Sequence, residues 1–318
     1  MNEKIKIIFA GTPEFAVPYL TGLLKEMDFE VIGVITQPDK PSRRKQELTS
    51  SPVKLLAQKN NLKIWQPENI KNNSILTAEL KTIKPDLMVV VAFGQIIPQE
   101  TLDIAKLGNI NIHPSLLPKY RGASPIQSAL LTGEKTTGIT IMLMDDKMDH
   151  GPILVQEKVE LDGEETNESL HQKLAGIGVP LMIKTIKEFA AESITPQAQN
   201  HEDATFCQQI TKDNAKLDWQ KTAEEIKRKI YAYYPWPATW TYLDGLRLKI
   251  FPPVKIFETE PMAEKIKNGQ IKIKDDQLTV KCIDKWLELK KIQLEGKKEM
   301  PAEEFLRGYK NINGKTLN

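Results

Sequence analysis

The sequence predicts two domains of unlike class: an α/β domain on a doubly wound, mostly parallel sheet, followed by a small C-terminal β-barrel. Three observations carry this expectation. The first two hundred residues alternate short apolar runs with helical patterns. Those runs are apolar nearly throughout, as strands covered on both faces must be. Beyond residue 207 the runs become short and regular, with turn residues between them.

Residues 5–10, Ile-Lys-Ile-Ile-Phe-Ala, read as the first buried strand, stopped by Gly11-Thr12-Pro13, with helix start signals at Thr12 and Glu14. Residues 31–35, 86–91, 109–112 and 138–143 continue the strand series. Helical patterns fall between them at 15–25, 53–60 and 74–83. A long helical stretch follows at 167–190, with Gly176, Gly178 and Pro180 expected to interrupt it. The segment after it is polar and contains Pro196, which predicts an exposed linker. In the last third, a helix is expected at 222–231, then Pro235-Trp236-Pro237. Short strands at 239–242, 246–251, 270–273, 278–282 and 286–294 follow, divided by Asp244-Gly245, Asn268-Gly269 and Asp275-Asp276. The boundaries that result are a domain at 1–190, a linker at 191–206 and a second domain at 207–318.

Composition narrows the class. Of 318 residues, 40% are apolar and 27% charged, which suits an ordered globular chain and excludes extensive disorder. No apolar run reaches the roughly 18–20 residues of a membrane span, and the N-terminus has no signal-peptide pattern, so a cytoplasmic location is expected. Cys207 and Cys282 cannot build a disulfide framework or a four-ligand zinc site. With four histidines and no HExxH, no catalytic metal is expected. The net charge of +2 conceals an asymmetry: residues 1–206 carry 22 basic and 26 acidic side chains, residues 207–318 carry 22 and 16. A net of −4 thus joins a net of +6, a pattern that points to an anionic partner for the second domain.

Ligands of doubly wound sheets sit at the C-terminal ends of the strands, which directs attention to the loops at 11–14, 92–98 and 113–122. Gly11-Thr12-Pro13 lacks the G-x-G-x-x-G spacing, and no phosphate loop exists, so a nicotinamide enzyme is disfavoured. Asn111 and His113 lie two apart in an extended segment and therefore project to one side. An amide N–H and an imidazole on one side can both bind a carbonyl oxygen and hold the negative charge it gains in acyl transfer. Downstream, Asp145, Asp146 and Asp149 precede a Gly-Pro turn, and any one of them could orient the His113 ring. No Ser or Cys nucleophile motif accompanies them. Residues alone leave general acid–base and carbonyl-polarising chemistry both open.

The segments Ile8-Phe9-Ala10-Gly11-Thr12-Pro13-Glu14-Phe15, Thr36-Gln37-Pro38-Asp39-Lys40-Pro41, Ser51-Pro52-Val53-Lys54 and Asn111-Ile112-His113-Pro114-Ser115-Leu116-Leu117-Pro118 occur together with Arg121-Gly122-Ala123-Ser124-Pro125-Ile126-Gln127 and Met148-Asp149-His150-Gly151-Pro152. In these the sequence resembles the 10-formyltetrahydrofolate-dependent formyltransferases over nearly its whole length. The resemblance implies a Rossmann-like formyltransferase domain and an OB-like barrel beginning near Pro235-Trp236-Pro237. It implies Asn111, His113 and Asp149 as the catalytic set, without a metal or a covalent enzyme intermediate. It puts 10-formyltetrahydrofolate at Ser115, Leu116, Leu117, Pro118, Phe93, Gly94 and Ile96. The loop beginning at Gln37 and the second domain narrow it to the branch that formylates methionyl initiator tRNA for translation initiation, acting as a monomer.

The loop at 38–50 carries Lys40, Arg43, Arg44 and Lys45, and the resemblance implies that it enters the acceptor end of the tRNA, with Arg44 at the key arginine position. The sequence departs from the family where Arg43 and Lys45 flank Arg44 in place of glycines, and where Tyr231 and Tyr234 replace Arg and Asn. Packing is the expected role of the two tyrosines.

Overall fold

The computed structural model describes residues 3–42, 47–258 and 266–318. The chain divides into two compact units: residues 1–125, 136–160 and 171–208 form one, and 126–135, 161–170 and 209–318 form the other.

The first unit is built on a seven-stranded sheet. Its strands are β1 (Ile5–Gly11), β2 (Phe29–Ile35), β3 (Lys63–Trp65), β4 (Leu87–Val91), β5 (Asn109–His113), β6 (Thr136–Leu143) and β7 (Ile153–Glu160), in the order β7-β6-β5-β4-β1-β2-β3. The five strands from β5 to β3 run parallel, and β6 and β7 are antiparallel additions at one edge. The sheet is therefore mostly parallel and doubly wound. All five residues of β4 are buried, and β1 is buried from Ile7 to Gly11, because helices cover both faces. One apolar cluster joins Ile8, Ala10 and Ile35 of the sheet to Leu76 and Leu80 of the helix Ser74–Ile83. That helix starts where the Asn73 side chain accepts from the Leu76 N–H and ends at Lys84 in the left-handed conformation.

The long helix Asn167–Ala190 is continuous, with Pro180 inside it. Gly178 serves close approach rather than interruption: a Cβ there would lie 2.3 Å from the Tyr19 hydroxyl. On the facing helix Val17–Lys25, a Cβ on Gly22 would lie 2.6 Å from Val179 Cγ1. The two helices meet through backbone that has no room for side chains, and tertiary packing overrides the local helix-breaking signal.

The second unit carries an antiparallel sheet in the order Thr239–Leu243, Leu246–Phe257, Trp286–Leu294, Gln277–Lys281, Ile271–Lys274. The long strand Leu246–Phe257 bends between Phe251 and Val254, at Pro252-Pro253, where the register shifts. The last residues then join the two edges of the sheet. Tyr242 and Asn318 exchange backbone hydrogen bonds at 2.8 and 3.1 Å, while Leu317 N donates to Gly269 O at 2.9 Å and Ile271 N to Lys315 O at 2.8 Å. Both edges are satisfied by one segment, which closes the sheet into a small barrel. Its core includes Leu248, Ile250, Leu278, Leu287 and Leu289, and the helices Ala223–Ala232 and Ala302–Gly308 contribute Ile226, Ile230 and Phe305. Thr222 and Glu225 form a capping box at the start of the first of these helices. Tyr231 is buried, with its hydroxyl donating to Glu164 Oε2 at 3.3 Å, and Tyr234 packs edge-on against Phe251. Cys282 is also buried, and desolvation pushes its thiol up to about 12, which leaves it inert.

Two substitutions test the helix contact. The Tyr19 hydroxyl is buried without a hydrogen-bond partner, so Tyr19→Phe is expected to leave stability unchanged or raise it by up to about 1 kcal/mol. Gly178→Ala is expected to cost about 1–3 kcal/mol in urea denaturation. The loss should be smaller in the Tyr19→Phe background, where the closest clashing atom is gone.

Candidate active site

The loops that follow β1, β2 and β4 are tied together at the C-terminal edge of the sheet. Thr12 Oγ1 donates to Phe93 O at 2.9 Å, and Gln37 Nε2 donates to Phe93 O at 3.0 Å and to Gly94 O at 3.1 Å. Gln95 fixes the other side of the same loop, accepting from Ile70 N at 2.9 Å and donating to Pro67 O at 3.0 Å.

Asn111 and His113 lie on β5, opposite Met142 and Thr140 of β6. Strand alternation puts both side chains on one face. Because β6 is antiparallel, the loop at 144–152 leaves from the far end of that strand, and it folds back to bring the Asp149 carboxylate onto this face. Asn111 Nδ2 donates to Asp149 Oδ1 at 3.2 Å, and His113 Nδ1 faces the same oxygen at 3.6 Å. The second oxygen, Oδ2, accepts from Gly122 N at 2.7 Å. The side chains of His113 and Asp149 are 5% and 12% exposed, so water screens the pair little. His113 Nε2 lies 2.9 Å from Tyr120 O. A carbonyl only accepts, so that nitrogen carries a proton.

The three aspartates separate in space. Asp145 accepts from Lys147 N and contacts His150 Nδ1 at 2.6 Å. Asp146 is exposed. Asp149 alone of the three meets Asn111 and His113.

The backbone that carries Asp149 is unusual, with φ +49° at a non-glycine residue. Just beyond it, Gly151 runs so close to β6 that a Cβ would lie 2.0 Å from Leu143 O. Residues 191–206, expected as an exposed linker, supply much of the support for this turn. Ile153 and Gln197 exchange backbone hydrogen bonds at 2.7 and 2.8 Å. Gln199 is buried among Asp149, Gly151 and Arg121. Phe206–Cys207 pairs in parallel with Arg121–Gly122, the segment whose Gly122 N–H holds Asp149. Arg121 Nη2 also meets His201 Nδ1 at 2.8 Å, and the His201 ring stacks on His150 at 4.0 Å. Arg121 belongs to a segment that carries the family resemblance, but its supporting role, like that of Gln199, is not readable from the sequence. Their partners lie 48 to 80 residues away in sequence, and Gln199 sits in a polar stretch without periodicity.

Comparison with known proteins decides the family. Residues 3–186 match the model of the formyl transferase family, and residues 209–310 match that of the formyl transferase C-terminal domain. The chain belongs to the formyl transferase family. Among its curated relatives, a methionyl-tRNA formyltransferase of Caldanaerobacter subterraneus subsp. tengcongensis is 40% identical over 98% of this chain and 100% of that protein. One from Acidobacterium capsulatum is 42% identical over 96% of each. Among solved structures, HypX from Aquifex aeolicus in complex with tetrahydrofolic acid matches with a TM-score of 0.66 at 17% identity, over 98% of this chain and 49% of that one. WlaRD, a sugar 3N-formyl transferase, matches with a TM-score of 0.65 at 24% identity, over 93% of this chain and 100% of its own. At those identities the two structures testify to the fold.

The residues expected to line a folate site in this formyltransferase fall into two groups. Phe93, Ser115 and Leu117 are buried, and Ser115 and Leu117 take part in an internal network. In it Ser115 Oγ donates to Lys119 O at 2.6 Å, Thr140 Oγ1 to Ser115 O at 2.6 Å, and Gln156 Nε2 to Leu117 O at 2.8 Å. Leu116 and Pro118 are half-buried, Gly94 is exposed, and the Ile96 side chain is 70% exposed. The first group shapes the loops, and the second leaves apolar surface open.

Of the basic loop, Arg43, Arg44 and Lys45 lie outside the described residues. Lys40 is exposed and donates to Gln37 Oε1 at 2.6 Å. Both ends of the loop converge on Asp39, which accepts from Lys54 Nζ at 2.6 Å, Gln66 Nε2 at 2.9 Å and Ser50 Oγ at 3.2 Å. These donors, Lys54 foremost, hold the Asp39 carboxyl below its usual range.

The His201 ring is held below its ordinary value, first by desolvation and then by His150, Arg121 and Lys147, against an opposing effect of Asp145. The neutral ring is thus favoured in the fold, and the unfolded chain takes up the proton first. Stability is expected to fall as pH drops through about 6.5 toward the lower folded value. Urea denaturation between pH 7.5 and pH 5 should show a flatter dependence for His201→Gln than for the parent chain.

Proposed function

We propose that this formyltransferase transfers the formyl group of 10-formyltetrahydrofolate to the α-amino group of methionyl initiator tRNA, for translation initiation, and that it does so as a cytoplasmic monomer. Support comes from full-length relatives that bear this activity in their names. The observation that carries the residue roles is the shared acceptor: Asp149 Oδ1 faces both Asn111 Nδ2 and His113 Nδ1.

In this reading the neutral amine attacks the formyl carbon directly, and the carbonyl oxygen gathers negative charge. Asn111 has two N–H groups on Nδ2. One is given to Asp149, and the other serves the developing oxyanion. His113 brings a protonated Nε2, held beforehand by the neutral Tyr120 carbonyl. An oxyanion is the stronger acceptor, so it draws this donor away as charge develops. Asp149 orients the ring, which lets His113 move a proton as the tetrahedral intermediate forms and collapses. Holding the amine and the formyl carbon together supplies much of the remaining acceleration.

The folate fits against the open apolar surface of Ile96, Leu116 and Pro118, with backbone groups of Phe93, Gly94 and Ser115 beside it. Phe93, Ser115 and Leu117 act by shaping that wall. Lys40, Arg43, Arg44 and Lys45 bind the acceptor end of the tRNA, and residues 207–318 supply the larger cationic surface.

Incubation with 10-formyltetrahydrofolate and methionyl initiator tRNA should yield N-formylmethionyl-tRNA, with no formylation of an amino-sugar nucleotide. The reverse preference would overturn the substrate assignment. Asp149→Asn and His113→Ala should each lower kcat by about 10²–10⁴-fold with an unchanged circular dichroism spectrum. Arg44→Ala should raise KM for the tRNA and leave folate affinity intact, as read by isothermal titration.

A further inference from the structure

The geometry points to Gln199 as a positioning residue for Asp149. It hydrogen-bonds to neither Asn111 nor His113, yet apart from a long contact of Nε2 with Met142 Sδ at 3.8 Å its amide is engaged by the backbone and side chains that aim the carboxylate. Nε2 donates to Asp149 O at 3.0 Å and to Gly151 O at 2.8 Å. Oε1 accepts from Arg121 Nη2 at 2.6 Å and from Arg121 Nε at 3.2 Å. The neighbours fix which way the amide points, because a guanidinium only donates and the two carbonyls only accept. Gln199 is 6% exposed, so these bonds form where water offers little competition.

Two features of the turn call for such a brace. Asp149 adopts φ +49°, a conformation that an L-residue keeps only when its surroundings over-determine it. Its carboxylate is aligned at the same time by Gly122 N, one residue beyond Arg121. Gln199 therefore grips the two pieces of chain that define the carboxylate's position, the turn at 149–151 and the segment at 121–122. Its own place is set two residues earlier by the paired backbone hydrogen bonds between Gln197 and Ile153.

This inference rests on the reading of Asp149 as the group that orients His113, and the experiment separates the two. Formyl transfer to methionyl initiator tRNA would be measured for the full chain with Gln199→Ala, Gln199→Glu and Asp149→Asn, and for the double variants. Gln199→Ala is expected to lower kcat by about 10–100-fold, with KM for 10-formyltetrahydrofolate within about twofold. Gln199→Glu keeps the shape and strengthens the pairing with Arg121, but it turns a carboxylate toward two carbonyls. It should be at least as impaired as Gln199→Ala. A residue needed only to anchor Arg121 would instead be rescued by Glu.

In the Asp149→Asn background, Gln199→Ala should cost less than threefold more, because there is no carboxylate left to aim. Near-parental kcat in Gln199→Glu, or a full additional loss in the double variant, overturns the inference. So does a failure of both Gln199 variants to fold, which would make it a residue of stability alone. Parental turnover in Asp149→Asn would instead overturn the catalytic reading of Asp149 itself.

Discussion

A single carboxylate, that of Asp149, is met from three directions, and the first unit is organised around it. Asn111 and His113 approach one oxygen from a central strand, and Gly122 N approaches the other from a loop. A buried carboxylate is costly unless its oxygens are satisfied, so each of these contacts constrains the rest. The constraint explains the path of the chain nearby. The antiparallel pairing of β6 makes the loop at 144–152 fold back along the sheet, and the positive φ at Asp149 turns its side chain into the site. The short parallel pairing of Phe206–Cys207 with Arg121–Gly122 steadies the donor on the other side.

The architecture was legible where burial acts on a continuous run of residues. The strands β1, β2, β4, β5 and β6 are apolar because helices cover the sheet, and the sequence expectation found each of them within about two residues. The two edge strands were not read. Lys63–Trp65 has three residues, and Ile153–Glu160 carries Gln156, Glu157 and Lys158 on one exposed stretch, so neither shows the pattern of a buried strand. The interruption expected at Gly176, Gly178 and Pro180 does not occur. At Gly178 what local propensity reads as a break is room for the facing Tyr19 side chain.

At the site, the readable part was local and the unreadable part was not. Asn111 and His113 declare themselves by two-residue spacing on a strand. Spacing could not choose among Asp145, Asp146 and Asp149, because the choice depends on how a loop folds in three dimensions. The resemblance favoured Asp149, and it is the one that meets the pair on β5. The contact between Arg121, a residue of the resemblance segments, and Gln199 was out of reach for the same reason, since the two are distant in sequence. Charge behaved differently. The near-neutral total hid a basic C-terminal part, visible only after the sequence was divided.

The interleaving of the two units has a consequence for modularity. The chain crosses from one unit to the other five times, the fifth at Gln209, where the final barrel segment begins. No single cut therefore yields either unit whole. Cleavage at the end of the long helix would strip the Asp149 turn of Gln197 and Gln199, and the Arg121–Gly122 segment of Phe206–Cys207. A piece beginning at Gln209 would lack the excursions at 126–135 and 161–170. Recombination among relatives is thus constrained by topology, and an exchanged barrel must bring three separate stretches of sequence with it.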